Sequence, residues 1–255
     1  MRFASIGSGS RGNATLISYK ETTLLVDCGF SAREAEKRLQ RLQFDPTMLS
    51  AIMVTHEHAD HINGVRVLAR KYKLPVYATP GTAGWLPADV KDLIQEFSCH
   101  QSFAIGDIEV EPFPVPHDAR EPSQFVFANG MHRVGLLTDV GTTTPVVEQA
   151  LSACDALLLE ANHDMTMLEN GDYPDHLIYR VSGRFGHLNN VQSASILEKI
   201  DTSRLQHIVA MHLSEKNNSP DIVSPLFAKA LGCEQSWIAI ADQDTGFGWR
   251  QTSNS

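Results

Sequence analysis

The chain has 255 residues, 42% of them hydrophobic, so it is long enough to bury a substantial core. Its formal net charge of -9 argues against a broad basic face for nucleic acid, although a local basic mouth is compatible with an acidic average. No apolar stretch approaches the ~18 residues of a membrane span, and the first residues lack a signal-peptide pattern. We therefore expect a cytoplasmic protein with no membrane partner.

Strands are predicted where β-branched and aromatic residues cluster. These runs cover residues 2–6, 14–19, 22–27, 51–55, 108–115, 124–128 and 131–137. Asn129-Gly130, between the last two runs, is typical of a two-residue hairpin turn in which both residues take positive φ.

Helical periodicity alternates with strands in the rest of the chain. Helices are predicted at residues 31–42, 62–72, 144–152, 190–199 and 224–231, with strands at 156–160 and 206–210. Ser31 followed by Glu34 predicts a capping box at the first helix. No linker, repeat or low-complexity tract divides the chain, so we predict a single domain over residues 1–255. Strands followed by helices, twice over, indicate an α+β architecture with two packed sheets.

The four cysteines lie far apart and form no Cys-x-x-Cys pair. Their spacing therefore predicts neither a disulfide framework nor a thiolate zinc site. We expect them to pack as small apolar residues. They are Cys28, Cys99, Cys154 and Cys233.

The strongest chemical signal is the run HEHADH at residues 56–61, which places four candidate metal ligands within six residues at a strand end. Side chains two apart in extended chain point the same way, so His56 and His58 can converge on one ion. Asp60 and His61 enter the next turn and can reach a second ion. The spacing differs from the helical His-Glu-x-x-His of zinc proteases, and Glu57, which points the opposite way, is predicted to be structural.

The pattern His-x-His-x-Asp-His after an apolar strand resembles the signature of the metallo-β-lactamase superfamily, and the other motifs of that family occur in order. They contain Asp27 in LLVDCG, His117 in VPHD, Asp139 in LLTDVG and His212 in VAMHL. The resemblance implies a four-layer αβ/βα sandwich, with two packed β-sheets flanked by helices and the site at one edge of the sheets. Between Asp139 and His212 we expect a strand and two helices, without a large inserted domain.

The resemblance also implies a role for each motif residue. One metal is assigned to His56, His58 and His117, the other to Asp60, His61 and His212, with Asp139 between them and Asp27 bracing the metal loop from behind. Nitrogen and oxygen ligands without thiolate suit Zn or Mn, and Fe is compatible, so the implied cofactors are two divalent transition-metal ions. Two such ions ~3.5–4 Å apart hold a bridging water as hydroxide near neutral pH, and Asp60 would orient this nucleophile.

A narrower resemblance comes from SIGSGSRGNAT at residues 5–15, LLEANHD at 158–164 and GHLNN at 186–190. These segments resemble the YycJ (WalJ) group of small bacterial proteins, which are regarded as exonuclease-like phosphodiesterases. In related branches a histidine between the bridging aspartate and the last ligand acts near the scissile phosphate, and His187 occupies that place. With Arg180 and Arg184 close by in sequence, His187 is our candidate to protonate the leaving oxygen or hold the phosphate.

Several residues allow two interpretations. The glycine-rich loop with Ser10, Arg11 and Asn13 fits either a backbone nest for a substrate phosphate or a tight turn between strands. His163, at a strand end, either lines the pocket or is structural. The histidines not expected to bind metal are His100, His132, His176 and His207.

The predicted function is that of a metal-dependent hydrolase, a phosphodiesterase or nuclease whose partners are DNA or RNA ends; the oligomeric state is left open. A thioester hydrolase of the glyoxalase II type or a lactam hydrolase would use the same site, but the basic residues around His187 favour phosphodiesters. A redox diiron enzyme would need a flavin partner domain. The non-enzyme alternative is a metal-stabilised binding protein, although a structural site is usually closed by four ligands.

Overall fold

The computed structural model describes residues 1–253, which build two seven-stranded sheets carrying helices on their outer faces. The predicted α+β fold, a four-layer αβ/βα sandwich, is confirmed. Asn254 and Ser255, the last residues of the domain predicted over 1–255, lie outside the described residues. No helix within residues 1–253 is long and apolar enough to cross a membrane.

The strands account for both sheets. They are β1 (Arg2–Gly7), β2 (Ala14–Tyr19), β3 (Thr22–Val26), β4 (Ala51–Met53), β5 (Val76–Ala78), β6 (Ile94–Glu96), β7 (Phe103–Ile105), β8 (Ile108–Pro114), β9 (Ser123–Ala128), β10 (Arg133–Leu137), β11 (Ala156–Glu160), β12 (His207–Met211), β13 (Ala239–Ile240) and β14 (Phe247–Gln251). The strand order is β14-β1-β2-β3-β4-β5-β6 in the first sheet and β13-β12-β11-β10-β9-β8-β7 in the second.

The helices connect these strands. They are α1 (Ala32–Arg41), α2 (Ala59–Ile62), α3 (Val65–Tyr72), α4 (Pro80–Ala83), α5 (Pro145–Leu151), α6 (Met165–Asn170), α7 (Asp175–Ser182), α8 (Asn190–Lys199) and α9 (Pro220–Leu231). Short 3-10 turns cover Pro46–Met48, Ala88–Leu93 and Gln235–Trp237.

Each sheet is half antiparallel and half parallel. Strands β3 to β6 run parallel in the first sheet, as do β10 to β13 in the second. Parallel strands end at the same edge of a sheet, so the loops after β3, β4, β10, β11 and β12 can converge. The parallel strands are covered on both faces, which explains the uninterrupted apolar run at the start of β11.

Three apolar layers hold the sandwich together. Phe3, Phe125 and Phe127, all without exposed surface, pack between the two sheets. The outer face of the first sheet packs against α1 and α3 through residues such as Leu39, and the second sheet packs against α5, α8 and α9 through residues such as Phe227. The cysteines are free, as predicted; Cys233 is partly exposed and the other three are buried.

The predicted elements are found with ends shifted by a few residues, but one predicted helix is broken. Residues 59–72 form α2 and α3, separated at Asn63-Gly64, rather than one helix over 62–72. A Cβ at Gly64 would collide with the Phe30 carbonyl oxygen, so the glycine at this break is what lets the segment approach the chain after β3. The segment between Asp139 and His212 contains four helices, α5 to α8, instead of the two predicted.

Two local predictions are wrong in detail. Ser31 Oγ accepts a hydrogen bond from Glu34 N at 3.3 Å, but the Glu34 carboxylate pairs with Arg38 instead of completing the capping box. Strands β9 and β10 are joined by four residues, and only Gly130 among them has positive φ. The Asn129 side chain accepts from the backbone amides of residues 131 and 132, which closes a longer turn than the predicted two-residue hairpin.

Candidate metal centre

The predicted ligands meet where the parallel strands end. Asp27 follows β3, the HEHADH run follows β4, Asp139 follows β10 and His212 follows β12. Asp27, Asp139 and His212 have φ of 60°, 54° and 54°, which non-glycine residues seldom adopt. Strain of this kind clusters at functional sites, where the surrounding structure fixes the backbone.

One donor cluster contains His56, His58 and His117, whose ligand atoms lie within 4.8 Å of one another. His56 Nε2 is buried and has no hydrogen-bond partner within residues 1–253. His58 Nδ1 lies 3.3 Å from His117 Nε2. Three ring nitrogens are therefore directed at a common point.

The second nitrogen of each of these rings is held by a protein oxygen. His56 Nδ1 lies 2.9 Å from Thr55 Oγ1, and His117 Nδ1 lies 3.0 Å from the Gly186 carbonyl oxygen. His58 Nε2 lies 3.2 Å from the Asp118 carbonyl oxygen. Metal-binding histidines almost always anchor their other nitrogen in this way, because the anchor fixes the tautomer and the ring orientation.

The second cluster contains Asp60, His61, Asp139 and His212. His61 Nε2 lies 3.3 Å from Asp60 Oδ2 and 3.2 Å from Asp139 Oδ2. Asp139 Oδ2 and His212 Nε2 are buried and, in the described part of the chain, make no hydrogen bond. Two atoms bound ~2.1 Å from one tetrahedral ion are roughly 3.4 Å apart, so these separations suit shared coordination.

Asp27 lies behind this second cluster. Its Oδ2 is 2.8 Å from His61 Nδ1 and accepts a hydrogen bond from Thr55 Oγ1 at 2.8 Å, while Oδ1 accepts from Thr55 N at 2.9 Å. The side chain is 4% exposed. Asp27 thus occupies the bracing position that its motif predicts.

The charges of the second cluster are strongly coupled. Burial favours neutral His61, but the carboxylates of Asp139 and Asp60 raise its pKa well above the usual value. Burial likewise opposes charge on His212, yet Asp139 and neighbouring carboxylates raise its pKa to about 10. Burial raises the pKa of Asp139, but His212 and His61 hold it well below its usual range. A divalent cation would replace these protons as the partner of the carboxylates.

A family model described as a beta-lactamase superfamily domain matches residues 22–212. The chain belongs to this superfamily. The matched segment begins with β3 and ends at the last candidate ligand, so it contains all seven of them. Superfamily membership and the two donor clusters support a metal-dependent hydrolase.

Two curated superfamily relatives cover most of the chain. Exodeoxyribonuclease YycJ of Bacillus anthracis is 37% identical over 229 residues, which are 87% of this chain and 86% of the relative. Exodeoxyribonuclease WalJ of Streptococcus pneumoniae is 34% identical over 230 residues, 87% of this chain and 84% of the relative. The resemblance of this superfamily member to the YycJ (WalJ) group is therefore confirmed.

Solved structures share the fold at much lower identity. The Bacillus subtilis metallo-β-lactamase fold protein YhfI matches with a TM-score of 0.73 and 17% identity, covering 98% of each chain. The short form of human tRNase Z matches with a TM-score of 0.71 and 16% identity, covering all of both chains.

Glu160 belongs to the site although the sequence did not single it out. It is the last residue of β11 and is fully buried, and its Oε1 lies 2.9 Å from His187 Nδ1. Burial raises the pKa of Glu160, but His187 and the hydrogen bonds to the carboxylate lower it to about 2. A charged residue ending an otherwise apolar buried strand was the available signal.

A cavity of about 250 Å³ opens onto the donor clusters. Its lining residues are Ser10, His58, Asp60, His117, Asp118, Asp139, Tyr173, Leu177, Arg180, Val181, Gly186, His187 and His212. The His187 ring lies between those of His117 and His212, with centroids 5.3 and 5.2 Å away, and its side chain is 21% exposed. The structure thus places His187 at the cavity beside both clusters.

Of the predicted substrate residues, Ser10 and Arg180 line the cavity, whereas Arg11 and Arg184 are not among its lining residues in the described chain. The Arg11 guanidinium instead pairs with Glu215 at 2.8 Å and with Asp244 at 3.1 Å, which directs it toward these carboxylates. Arg184 is exposed on the loop after α7.

The glycine-rich loop is a turn that supports the metal loop. The amides of residues 8, 9, 11, 12 and 13 all donate to protein oxygens, so they do not form the alternative phosphate nest. Asn13 is buried, and its Nδ2 lies 3.3 Å from Asp60 Oδ2 and 3.2 Å from His61 Nε2. Asn13 therefore positions candidate ligands rather than lining the cavity.

Apart from His187, the histidines that were not predicted to bind metal lie outside the cavity lining described within residues 1–253, as does Glu57. The Glu57 carboxylate accepts from Arg120 N at 2.7 Å and so fixes a neighbouring loop. His163 is buried beside Asn162 and does not line the cavity within residues 1–253. The donor groups described within residues 1–253 do not include His100, His132, His176 or His207.

Proposed function

We propose that this chain is a metal-dependent phosphodiesterase that cleaves nucleic acid at strand ends. The two exodeoxyribonuclease relatives support a nucleic-acid substrate. The observation that carries the proposal is the placement of His187, backed by the Glu160 carboxylate, at the cavity beside both donor clusters. A proton donor there serves a reaction whose leaving group is a poor one, such as a sugar hydroxyl.

We infer that the site holds two divalent ions, with Zn or Mn best suited to the donors. His56, His58 and His117 would hold one, and Asp60, His61 and His212 the other, with Asp139 shared between them. When bound, such ions supply Lewis acidity and an activated water. The buried donor atoms without hydrogen-bond partners support this assignment, because an unmet buried polar atom is otherwise costly.

Asp60 is placed to orient the attacking water. Its carboxylate lines the cavity, and the side chain is 24% exposed while that of Asp139 is 2% exposed. Asn13 fixes the Asp60 carboxylate from one side. Asp60 is therefore the candidate carboxylate that both reaches solvent and keeps a defined orientation.

His187 is proposed to transfer a proton to the leaving oxygen. The contact between Nδ1 and Glu160 fixes the ring and directs its opposite nitrogen away from that carboxylate, which leaves that nitrogen to act in proton transfer. Arg180 would bind a substrate oxygen, since its Nε donates to Asp118 at 2.8 Å while the side chain is 62% exposed. Asp118 thereby holds the arginine at the cavity.

The test compares two phosphodiesters with different leaving groups in the Mn- and Zn-loaded protein. His187→Ala should slow cleavage of a short DNA by ~10²–10⁴-fold and cleavage of a nitrophenyl diester much less, because nitrophenolate leaves without a proton. His176→Ala on the exposed surface of α7 is the control and should change neither rate. Equal losses of rate on both substrates would show that His187 positions the phosphate instead of donating a proton. Loss of bound metal in His187→Ala would contradict its assignment to proton transfer.

The Mn- and Zn-loaded proteins should also be assayed with a thioester and with a lactam as substrates. These alternatives use the same candidate ligands, but neither calls for the guanidinium at the cavity. Turnover of the thioester or lactam in preference to every phosphodiester, with both metals present, would overturn the proposed function.

A further inference from the structure

The cavity has two chemically different sides. Its floor is made of candidate metal ligands and His187, whereas one wall carries Tyr173, Leu177 and Val181. None of the eight residues of α7 is buried. Leu177 and Val181 are half-buried and line the cavity, so the apolar side of this helix covers the site instead of joining the core.

Tyr173 stands just before α7 and is the aromatic residue of this wall. The residue is half-buried and lines the cavity, and the Lys216 ammonium lies over its ring, 5.7 Å from the centroid. A cation over an aromatic face is attracted by the ring quadrupole, which helps to hold the ring in place. Lys216 is exposed, so its ammonium can also reach a phosphate at this side of the cavity.

We propose that Tyr173 stacks on the base of the nucleotide whose phosphate lies at the metal centre. This rests on the proposed function and specifies its substrate as an unpaired terminal nucleotide. The polar floor suits the phosphate and sugar, and the apolar wall with its aromatic ring suits the flat face of a base. A simple phosphodiester would leave that wall uncovered.

The size of the cavity favours one nucleotide over a duplex. Its 250 Å³ lies below the ~300–1,000 Å³ typical of sites for drug-sized ligands, so it suits one terminal nucleotide better than a length of duplex. Base stacking on an aromatic side chain tolerates any base, because every base has a π-face. Tyr173 would therefore select for a strand end with an unpaired base without selecting its sequence.

Binding of mononucleotides to the metal-loaded protein tests this inference without turnover. Thymidine 5′- and 3′-monophosphate are compared with 2-deoxyribose 5-phosphate, which lacks the base, by isothermal titration calorimetry. We expect the tighter nucleotide to bind ~5- to 150-fold more tightly than the sugar phosphate, the range that stacking of one base provides. Tyr173→Phe should keep this preference, and Tyr173→Ala should reduce it to within about twofold of unity.

Tyr179→Ala is the matched control. Tyr179 lies on α7, the helix that directly follows Tyr173, but it is 82% exposed and outside the described cavity lining, so its removal should leave the preference unchanged. An unaltered preference in Tyr173→Ala, or no preference in the unmodified protein, would overturn the inference. A preference lost equally in Tyr173→Ala and Tyr179→Ala would do the same, because it would reflect disturbance of α7 as a whole.

The outcome is separable from that of the proposed function. If no phosphodiester is cleaved but the nucleotide preference depends on Tyr173, the base site stands and the hydrolase proposal fails. If diesters are cleaved without any dependence of nucleotide binding on Tyr173, the reverse holds. Unchanged binding of 2-deoxyribose 5-phosphate to Tyr173→Ala confirms that the metal centre has remained intact.

Discussion

Glu160 and His187 are joined by a 2.9 Å contact between carboxylate Oε1 and ring Nδ1. The same carboxylate accepts backbone hydrogen bonds from Asp139 N at 2.9 Å, Val140 N at 3.3 Å and Leu188 N at 2.9 Å. One fully buried group thus fixes the loop that carries Asp139 and the ring of His187. The distance between the metal centre and the proposed proton donor depends on it.

Glu160→Gln is expected to slow DNA cleavage by ~10²–10⁴-fold, because it removes the carboxylate that holds His187 Nδ1 and orients the ring for proton transfer. In a His187→Ala background the same change should cost less than in the unmodified protein, because the part of its effect that acts through His187 is already lost and only its support of the Asp139 loop remains. The double-mutant cycle is measured as kcat on a short DNA, alongside metal content. Fully multiplicative losses would mean that Glu160 acts independently of His187.

Asp60→Asn should lower the maximal phosphodiesterase rate by at least ~100-fold, because it weakens one metal position and misorients the attacking water. Asp92→Asn is the control, since Asp92 is an exposed partner of Arg70 and is not among the lining residues within residues 1–253. Rates and bound metal should be measured on the same samples. Full activity at normal metal content would remove Asp60 from the mechanism.

Metal binding to the stripped protein is expected to take up two divalent ions and release protons at pH 7.5. In the ion-free cluster the raised pKa values of His61 and His212 keep these rings protonated at neutral pH, whereas a metal binds the neutral ring. Affinity should therefore increase with pH, most steeply below the His212 pKa of about 10. Calorimetry in buffers with different ionisation enthalpies counts the protons; a single ion, or no proton release, would contradict the assignment.

The sequence predicted the site best where the candidate ligands lie close together along the chain. HEHADH predicted two converging donor pairs because a strand end and the following turn determine where those side chains point. His117, Asp139 and His212 required the ordered family motifs, since only the folded sheets bring their strands to one edge. The four-layer sandwich likewise followed from the resemblance, and periodicity alone indicated only an α+β chain with two sheets.

The missed features depend on contacts between distant segments. Glu160 gains its role from amides of residues 139, 140 and 188, which no local pattern relates to it. Arg11 looked free in sequence, but folding places it beside Glu215 and Asp244, more than 200 residues away. The break at Gly64 reflects the approach of Phe30, another non-local contact. Side-chain partners are thus fixed by topology, whereas ligand types are visible in short motifs.

The surface charge of the fold leads to the final prediction, a shallow salt dependence of DNA binding. Several exposed cations away from the cavity are already neutralised, as in the pairs of Arg66 with Asp89, at 2.7 Å, and Arg70 with Asp92, at 3.0 Å. Near the cavity, Arg180 pairs, among the described residues, with Asp118 through Nε only and its side chain is 62% exposed, so its other guanidinium nitrogens remain for a substrate phosphate, as does the exposed Lys216 ammonium.

Each duplex phosphate neutralised adds ~0.9 to the slope of log affinity against log salt, so contact with ~2–3 phosphates predicts a slope magnitude of about 2–3. Binding of metal-loaded Asp60→Asn to DNA of several lengths should therefore stop strengthening once the terminal nucleotides are present. Arg180→Ala should reduce the slope by about one. Lys229→Ala is the control and should leave the slope unchanged. Helix α9 begins after His212 and leads back from the strand ends that carry the site, and Lys229 lies in its last turn. A slope near ten, or affinity that keeps rising with duplex length, would require a basic surface assembled by a second subunit.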